Sequence, residues 1–222
     1  RLAETGLLWR KNTHFDSSCT DGLPFRSYGI DLNRNSSFHW SQCQSLNCSS
    51  SFSCAETYRG EAPASEPEVA AIEAYLRSIF PDRRGDSLVE SAPLTTPGMM
   101  LSLHSYGQLV LFPWGWTTDH TPNAAGLATL ARRLGYPLQY RVCQAGGSGC
   151  LYQTDGTTDD FAYGELGIAA FTIELGSAFF QSCSTFEDAI LQPGLAALRY
   201  AFSAAPRPYM LPQGPEIFNM ST

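Results

Sequence analysis

The chain has 222 residues, 43% hydrophobic and 16% charged, with a formal net charge of -7. This is the composition of a folded domain with a sizeable core, not of a disordered chain. The acidic balance argues against a nucleic-acid partner, and no apolar run approaches the ~18–20 residues of a membrane span.

Residues 1–60 are rich in Ser, Asn and Cys, carry only the short apolar runs "GLLW" and "YGIDL", and read as loops. "ASEPEVAAIEAYLRSIF" predicts a helix. Ser65 with Glu68 forms a capping box, Pro67 sits in the first turn, and Val69, Ile72, Leu76 and Ile79 recur at helical spacing to give one buried face. "GMMLSLHSY" and "QLVLFPW" read as two strands split at Ser105–Gly107. "TPNAAGLATLARRLG" predicts a second helix with Thr121 as N-cap, Pro122 at N1 and Gly135 at its C-terminal end.

"YPLQYRVC" is a further strand, and the apolar run in "GELGIAAFTIELG" suits a strand buried on both faces. "YQTDGTTDD" reads on composition as a flexible surface loop. "STFEDAIL", with a Ser184–Glu187 capping box, and "PGLAALRYAFSAA" are the last helices. From Pro206 the chain is Pro-rich and without period, so residues 206–222 read as a linker or tail and 1–205 as one domain. Strands alternating with helices imply an α/β fold with a mixed, mostly parallel sheet flanked by helices.

Seven cysteines stand at 19, 43, 48, 54, 143, 150 and 183, none in a CxxC pair, so a zinc ribbon is not expected. They read as disulfide staples formed in an oxidising compartment, with at least one thiol left over because the count is odd. Connectivity is not deducible from spacing; the favoured pairs are Cys143–Cys150, Cys43–Cys48 and Cys19–Cys54. N-x-S/T sequons occur at Asn35, Asn47 and Asn219.

Several polar residues interrupt apolar surroundings. Glu174 ends the most apolar strand, where desolvation would raise its pKa toward the range of a general base; the plain alternative is a strand-end Glu facing water. Asn33 and Arg34 follow an apolar strand and could grip a carboxylate, or form a turn with a surface ion pair. Arg10 beside Trp9 could simply snorkel. Asp159 and Asp160 are either a solvated face or the lining of a pocket for a basic side chain. His104 at a strand end is by itself more often a structural histidine than a ligand. No nucleophile elbow, P-loop, GxGxxG or HExxH is present.

Taken in order, "WRKN", "GIDLNRN", "ETYRGEAPASEPE", "LSLHSYGQLVLFPWG" and "YQTDGTTDDFAYGELGIAAFTIELG" resemble the zinc metallocarboxypeptidases of the pancreatic A/B type, and "SEPE", "TTDDFAYGELG" and "FFQSCSTFE" resemble their secreted bacterial branch. The resemblance covers residue 7 to about 205. It implies that His104 is a zinc ligand, that Glu174 is the general base, and that Arg10 stabilises the oxyanion. Asn33 and Arg34 would hold the substrate's terminal carboxylate, Tyr152 would close over it, and Asp159 would floor the side-chain pocket. An acid there implies preference for C-terminal Lys or Arg; some bacterial relatives also accept apolar termini. It further implies a cis Ser105–Tyr106 peptide, a Zn2+ cofactor, peptide or protein C-termini as partners, a secreted location and a monomer.

One feature departs from the family. Its first two zinc ligands come from an HxxE motif upstream of "WRKN", whereas the four histidines here, at 14, 39, 104 and 120, begin no HxxE. A catalytic zinc takes three protein ligands and keeps one position open. The expectation is therefore an N-terminally truncated chain, lacking part of the sheet and inactive alone. The alternative is a pseudoenzyme that binds C-terminal carboxylates without metal.

Overall fold

The computed structural model describes residues 8–15, 19, 28–43, 45 and 48–210. Four strands, β1 (Met99–His104), β2 (Leu109–Phe112), β3 (Arg141–Gln144) and β4 (Ala169–Glu174), form one sheet in the order β1-β4-β2-β3. β1 runs parallel to β4 and β2 parallel to β3, while β2 and β4 are antiparallel. The sheet is thus mixed and mostly parallel, as the alternation of elements implies. β4 is central, and its run from Ala169 to Ile173 is buried throughout. Burying side chains such as Phe171 and Ile173 contributes about 1.5–3 kcal/mol each.

Helices α1 (Pro67–Ile79), α2 (Ala124–Gly135), α3 (Thr158–Leu166), α4 (Cys183–Thr185) and α5 (Gln192–Ala204) accompany the sheet. A π-helical stretch, Phe186–Leu191, joins α4 to α5. α2 packs on β2 and β3, α5 packs on α2, and α3 lies across β4 and β1.

Several local expectations are corrected. The Ser65–Glu68 capping box does not form. Glu66 is the N-cap residue of α1, and the Ser65 hydroxyl instead donates to the Glu66 carboxylate and accepts from Asn35. Ile72 and Ile79 stand half-exposed, whereas Glu73 takes a buried place between Val69 and Leu76. Its carboxylate accepts from the Ser37 amide at 2.7 Å, the Ser37 hydroxyl at 2.8 Å and Arg77 at 3.3 Å, which satisfies the buried charge. α2 starts after Asn123, not at Thr121. The last helical run is capped by Ser182, whose hydroxyl accepts from the Thr185 amide, not by Ser184.

The stretch read as a flexible loop, residues 152–160, ends in the first turn of α3, which continues to Leu166. α3 lacks helical periodicity because nearly all of its residues are buried, so no polar face marks it. Its stop signal was in the sequence: Gly167 ends it in the left-handed conformation, φ 74°. The core also extends past residue 205. Tyr209 is buried and its hydroxyl donates to the Gly167 carbonyl at 2.9 Å. The remaining residues of the expected tail, 211–222, lie outside the described residues.

The three favoured disulfides, Cys19–Cys54, Cys43–Cys48 and Cys143–Cys150, are present, and Cys183 is a free, exposed thiol. Asn35 is fully buried with its side-chain amide donated to Arg59, Ala62 and Ser65, so its sequon is not available for glycosylation. Asn47 and Asn219 lie outside the described residues.

Candidate active site

The register of β1 on β4 pairs Ser102 with Thr172 and His104 with Glu174. Because side chains alternate along a strand, these four residues share one face of the sheet. The two apolar strands therefore deliver an imidazole and a carboxylate side by side at their C-terminal ends. His104 Nδ1 is 3.9 Å from Glu174 Oε1. The other ring nitrogen, Nε2, lies 3.0 Å from the Ser102 hydroxyl, which holds the ring so that Nδ1 faces Glu174. The second Glu174 oxygen is buried and has no hydrogen-bond partner among the described residues.

Burial raises the Glu174 pKa; Arg10 and Arg34 oppose that rise and Asp159 adds to it. Burial lowers the His104 pKa, with Asp159 opposing and Arg10 and Arg34 reinforcing the shift. Arg10, Arg34 and Asp159 thus act on both members of the pair, which places all five residues in one electrostatic neighbourhood. Glu174 is therefore not a strand-end carboxylate facing open water.

Arg10 does not merely snorkel. Its Nε donates to Asp31 at 2.8 Å, and Asp31 is itself buried. Asp31 also accepts from the Asn33 amide and so opens the 3-10 turn Leu32–Arg34 that carries the next two residues. Asn33 Oδ1 accepts from both the amide and the hydroxyl of Thr158, each at 3.1 Å. That bond orients the Asn33 amide and joins this turn to the start of α3. Arg34 is buried, with Nε donating to the Cys48 carbonyl at 3.0 Å and Nη1 to the Asn33 carbonyl at 2.6 Å. No ion pair of Arg34 occurs among the described residues, and the side chain is buried and not at the surface.

Asp159, in the first turn of α3, is 4% exposed. Its Oδ1 accepts from the Asp160 amide and its Oδ2 from the Thr172 hydroxyl, each at 3.1 Å. The neighbouring Asp160 has a different place: it accepts from the amides of Gly115 and Trp116 and braces that loop. Burial, then the charge of Asp159, hold its pKa well above the ordinary range. Tyr152 is half-exposed and near enough to Arg10 to bear on its charge. The Ser105–Tyr106 peptide is cis. A groove of about 360 Å³ continues from Ser105 and Leu175 past Phe179, Phe180 and Phe186.

Sequence reasoning missed Asp31, Ser102, Thr158 and Thr172, the residues that hold the others in place. For Ser102 and Thr172 a signal existed, since each lies two positions before a candidate on its strand. The metal is a separate question. His104 offers one imidazole, and no group of three His, Cys, Asp or Glu side chains able to hold a metal occurs among the described residues. By themselves these residues do not complete a zinc site.

Comparison with known proteins gives the site its context. A family model described as zinc carboxypeptidase matches residues 2–191. Rat carboxypeptidase B2 is 35% identical over 177 residues, covering 76% of this chain and 36% of the relative. Zinc carboxypeptidase A 1 of Anopheles gambiae is 32% identical over 178 residues, covering 76% of this chain and 34% of the relative. The chain therefore spans about a third of the length of these curated relatives. The solved structure of bovine thrombin-activatable fibrinolysis inhibitor, in complex with tick carboxypeptidase inhibitor, superposes with a TM-score of 0.71 at 27% identity, covering 92% of this chain and 64% of that one. These are animal proteins and do not speak for the bacterial branch. With a family match over most of its length and a carboxypeptidase fold beneath its site, the chain belongs to the zinc carboxypeptidase family.

Proposed function

We propose that the protein is a metallocarboxypeptidase that hydrolyses the C-terminal peptide bond, with preference for terminal Lys or Arg. The observation that carries this is the convergence of His104, Glu174, Arg10, Arg34 and Asp159 on one end of the sheet. The basic preference rests on Asp159, a buried carboxylate with no Lys or Arg within ion-pair distance among the described residues. Buried charges call for a partner, and a substrate ammonium or guanidinium would be one.

Asn33 and Arg34 would hold the terminal carboxylate, and only a chain end brings a free carboxylate to them, which makes the enzyme an exopeptidase. Tyr152 would cover that end. Glu174 would take a proton from water and pass it to the leaving amine, a task suited to its raised pKa. Arg10, held by Asp31, would place positive charge where the oxyanion develops. Zinc, when bound, supplies Lewis acidity to water and the scissile carbonyl.

We further propose that His104 is one of three zinc ligands and that the other two come from an HxxE in a preceding segment of a longer, secreted, monomeric protein. β1 supports this reading: among the described residues it pairs on one side only, Leu103 is exposed, and His104 lies at the end of that edge, where an added strand would also end. The three disulfides support secretion.

The test is zinc content and release of Arg from a blocked dipeptide ending in Arg. It is run on the 222-residue chain and on the same chain with its preceding coding sequence. The expected result is neither property in the former, and one zinc with release in the latter, abolished by Glu174→Gln. No zinc and no release in the longer protein would overturn the enzyme reading in favour of a carboxylate-binding module. Zinc and release by the short chain would overturn the external ligands.

A further inference from the structure

We infer that the Cys43–Cys48 disulfide is the positioning element that aims the Arg34 guanidinium at a ligand carboxylate. This rests on the reading of Asn33 and Arg34 as the grip on a terminal carboxylate. Arg34 is buried, and two bonds set its plane: Nη1 donates to the Asn33 carbonyl at 2.6 Å and Nε to the Cys48 carbonyl at 3.0 Å. The first acceptor belongs to the preceding residue and moves with Arg34. The second belongs to a different loop, so it fixes the side chain relative to the rest of the site. Nη2 makes no hydrogen bond to the described residues, which leaves it to a ligand. A guanidinium is a rigid plane, so holding Nε also decides where Nη2 points.

The disulfide loop meets the site at both of its ends. At one end Cys48, 2% exposed, gives its carbonyl to Arg34. At the other, the Cys43 amide donates to Oδ2 of the buried Asp155 at 3.1 Å, and Gln153 Oε1 lies 3.6 Å from Cys43 Sγ. Gln153 and Asp155 stand on the segment that runs from Tyr152 to Asp159. The two cysteines are five positions apart in the chain and 6.1 Å apart at Cα. One short cross-link thus ties the acceptor of Arg34 to the segment bearing Tyr152.

Main-chain bonding does not replace this tie. Among the described residues, no backbone–backbone hydrogen bond involves residues 43–49, and the chain is next anchored at Ser50, whose amide donates to Thr57. A cross-link restricts such a loop where hydrogen bonds do not. Without it the Cys48 carbonyl is free to leave Nε. The guanidinium, held then only by its neighbour's carbonyl, loses the fixed plane on which a two-pronged contact with a carboxylate depends. The effect is confined to carboxylate recognition, because Asp159 is carried by α3 and the His104–Glu174 pair by the sheet.

The experiment measures binding of Nα-benzoyl-L-arginine and of its amide, which lacks the carboxylate, by calorimetry. The proteins are the 222-residue chain, Cys43→Ser/Cys48→Ser, Asp155→Ala, and Cys143→Ser/Cys150→Ser as a control that removes a different cross-link. The wild-type chain should bind the acid more tightly than the amide. Cys43→Ser/Cys48→Ser should weaken the acid about ten-fold and the amide less than about two-fold. Asp155→Ala keeps the cross-link but releases its Cys43 end, and should weaken the acid about three-fold with the amide again little changed. The control should keep the wild-type ratio. A folded Cys43→Ser/Cys48→Ser chain that keeps that ratio, or weakens both ligands equally, overturns the inference and leaves Arg34 as the grip; so does an equal fall of the ratio in the control. If the double variant does not fold, Asp155→Ala decides by the same criterion. A wild-type chain that binds acid and amide alike, or neither, overturns the reading of Arg34 and this inference with it.

Discussion

Asn35 follows Arg34 directly and is the peg that holds the Leu32–Arg34 turn to α1. Its side-chain NH2 is within bonding distance of the Arg59 carbonyl at 2.9 Å, the Ala62 carbonyl at 3.0 Å and the Ser65 hydroxyl at 3.0 Å. Its Oδ1 accepts from the Glu66 amide at 3.0 Å, the residue that caps the helix. Nothing of Asn35 is exposed. Asn35→Ala removes all of these partners and takes the acceptor from the Glu66 amide, while the Arg59 and Ala62 carbonyls keep bonds from Trp40 Nε1 and the Ser65 amide. At about 1 kcal/mol for each of the four bonds, the loss should be about 4 kcal/mol. With a urea slope of about 2 kcal/mol/M, the unfolding midpoint should fall by about 2 M. Asn35→Asp provides a sharper comparison. It keeps the acceptor for Glu66 but turns a second acceptor toward two carbonyls, so it should cost at least as much as Ala despite its near-identical shape. A fall of under about 0.5 M for Ala, or an Asp variant near wild type, would refute the reasoning.

Other outcomes are expected. The folded pKa of Glu174 is raised, so its contribution to stability is present below the ordinary carboxylate value and is lost as pH rises through the folded value. The melting temperature of wild type relative to Glu174→Gln should therefore fall as pH rises above the ordinary carboxylate range; a constant or rising difference would contradict the burial argument. Gly164→Ala on α3 would drive a methyl into the Phe38 ring, and thermal melts should show a loss of about 1–3 kcal/mol. Tyr209→Ala should cost about 3–5 kcal/mol in denaturant unfolding if the chain beyond 205 is core, and almost nothing if it is a tail. A thiol-exchange dye should titrate one group, Cys183, in the native protein and no more after denaturation without reductant.

Much of this molecule is legible in its sequence because periodicity reports one-dimensional facts. The β4 run is apolar without alternation, and a strand buried on both faces is what such a run forms. Pro67 announces the first turn of α1. The order of the motifs, with "LSLHSYG" before "TIELG", carries the family resemblance that singles out His104 and Glu174 as candidates. Where local signals compete with packing, sequence reading fails in an instructive way. Ile72 and Ile79 have the right spacing for a core, yet Glu73 is buried because Ser37 and Arg77 offer it better partners than water does. α3 was invisible because a helix enclosed by its neighbours has no polar face to set its phase.

Residue types and their order along the chain determined the fold class, the cysteine staples and the chemistry on offer: one imidazole, one strand-end carboxylate, two arginines and an aspartate. Only the tertiary structure decided which of these meet. The parallel register sets His104 against Glu174, Asp31 ties Arg10 to the turn bearing Asn33 and Arg34, and Thr172 reaches Asp159 from another element. The reason is that a hydrogen bond or a Coulomb interaction depends on a few ångströms of separation through space. Sequence position carries that separation only within one helix or strand, and these contacts bridge several.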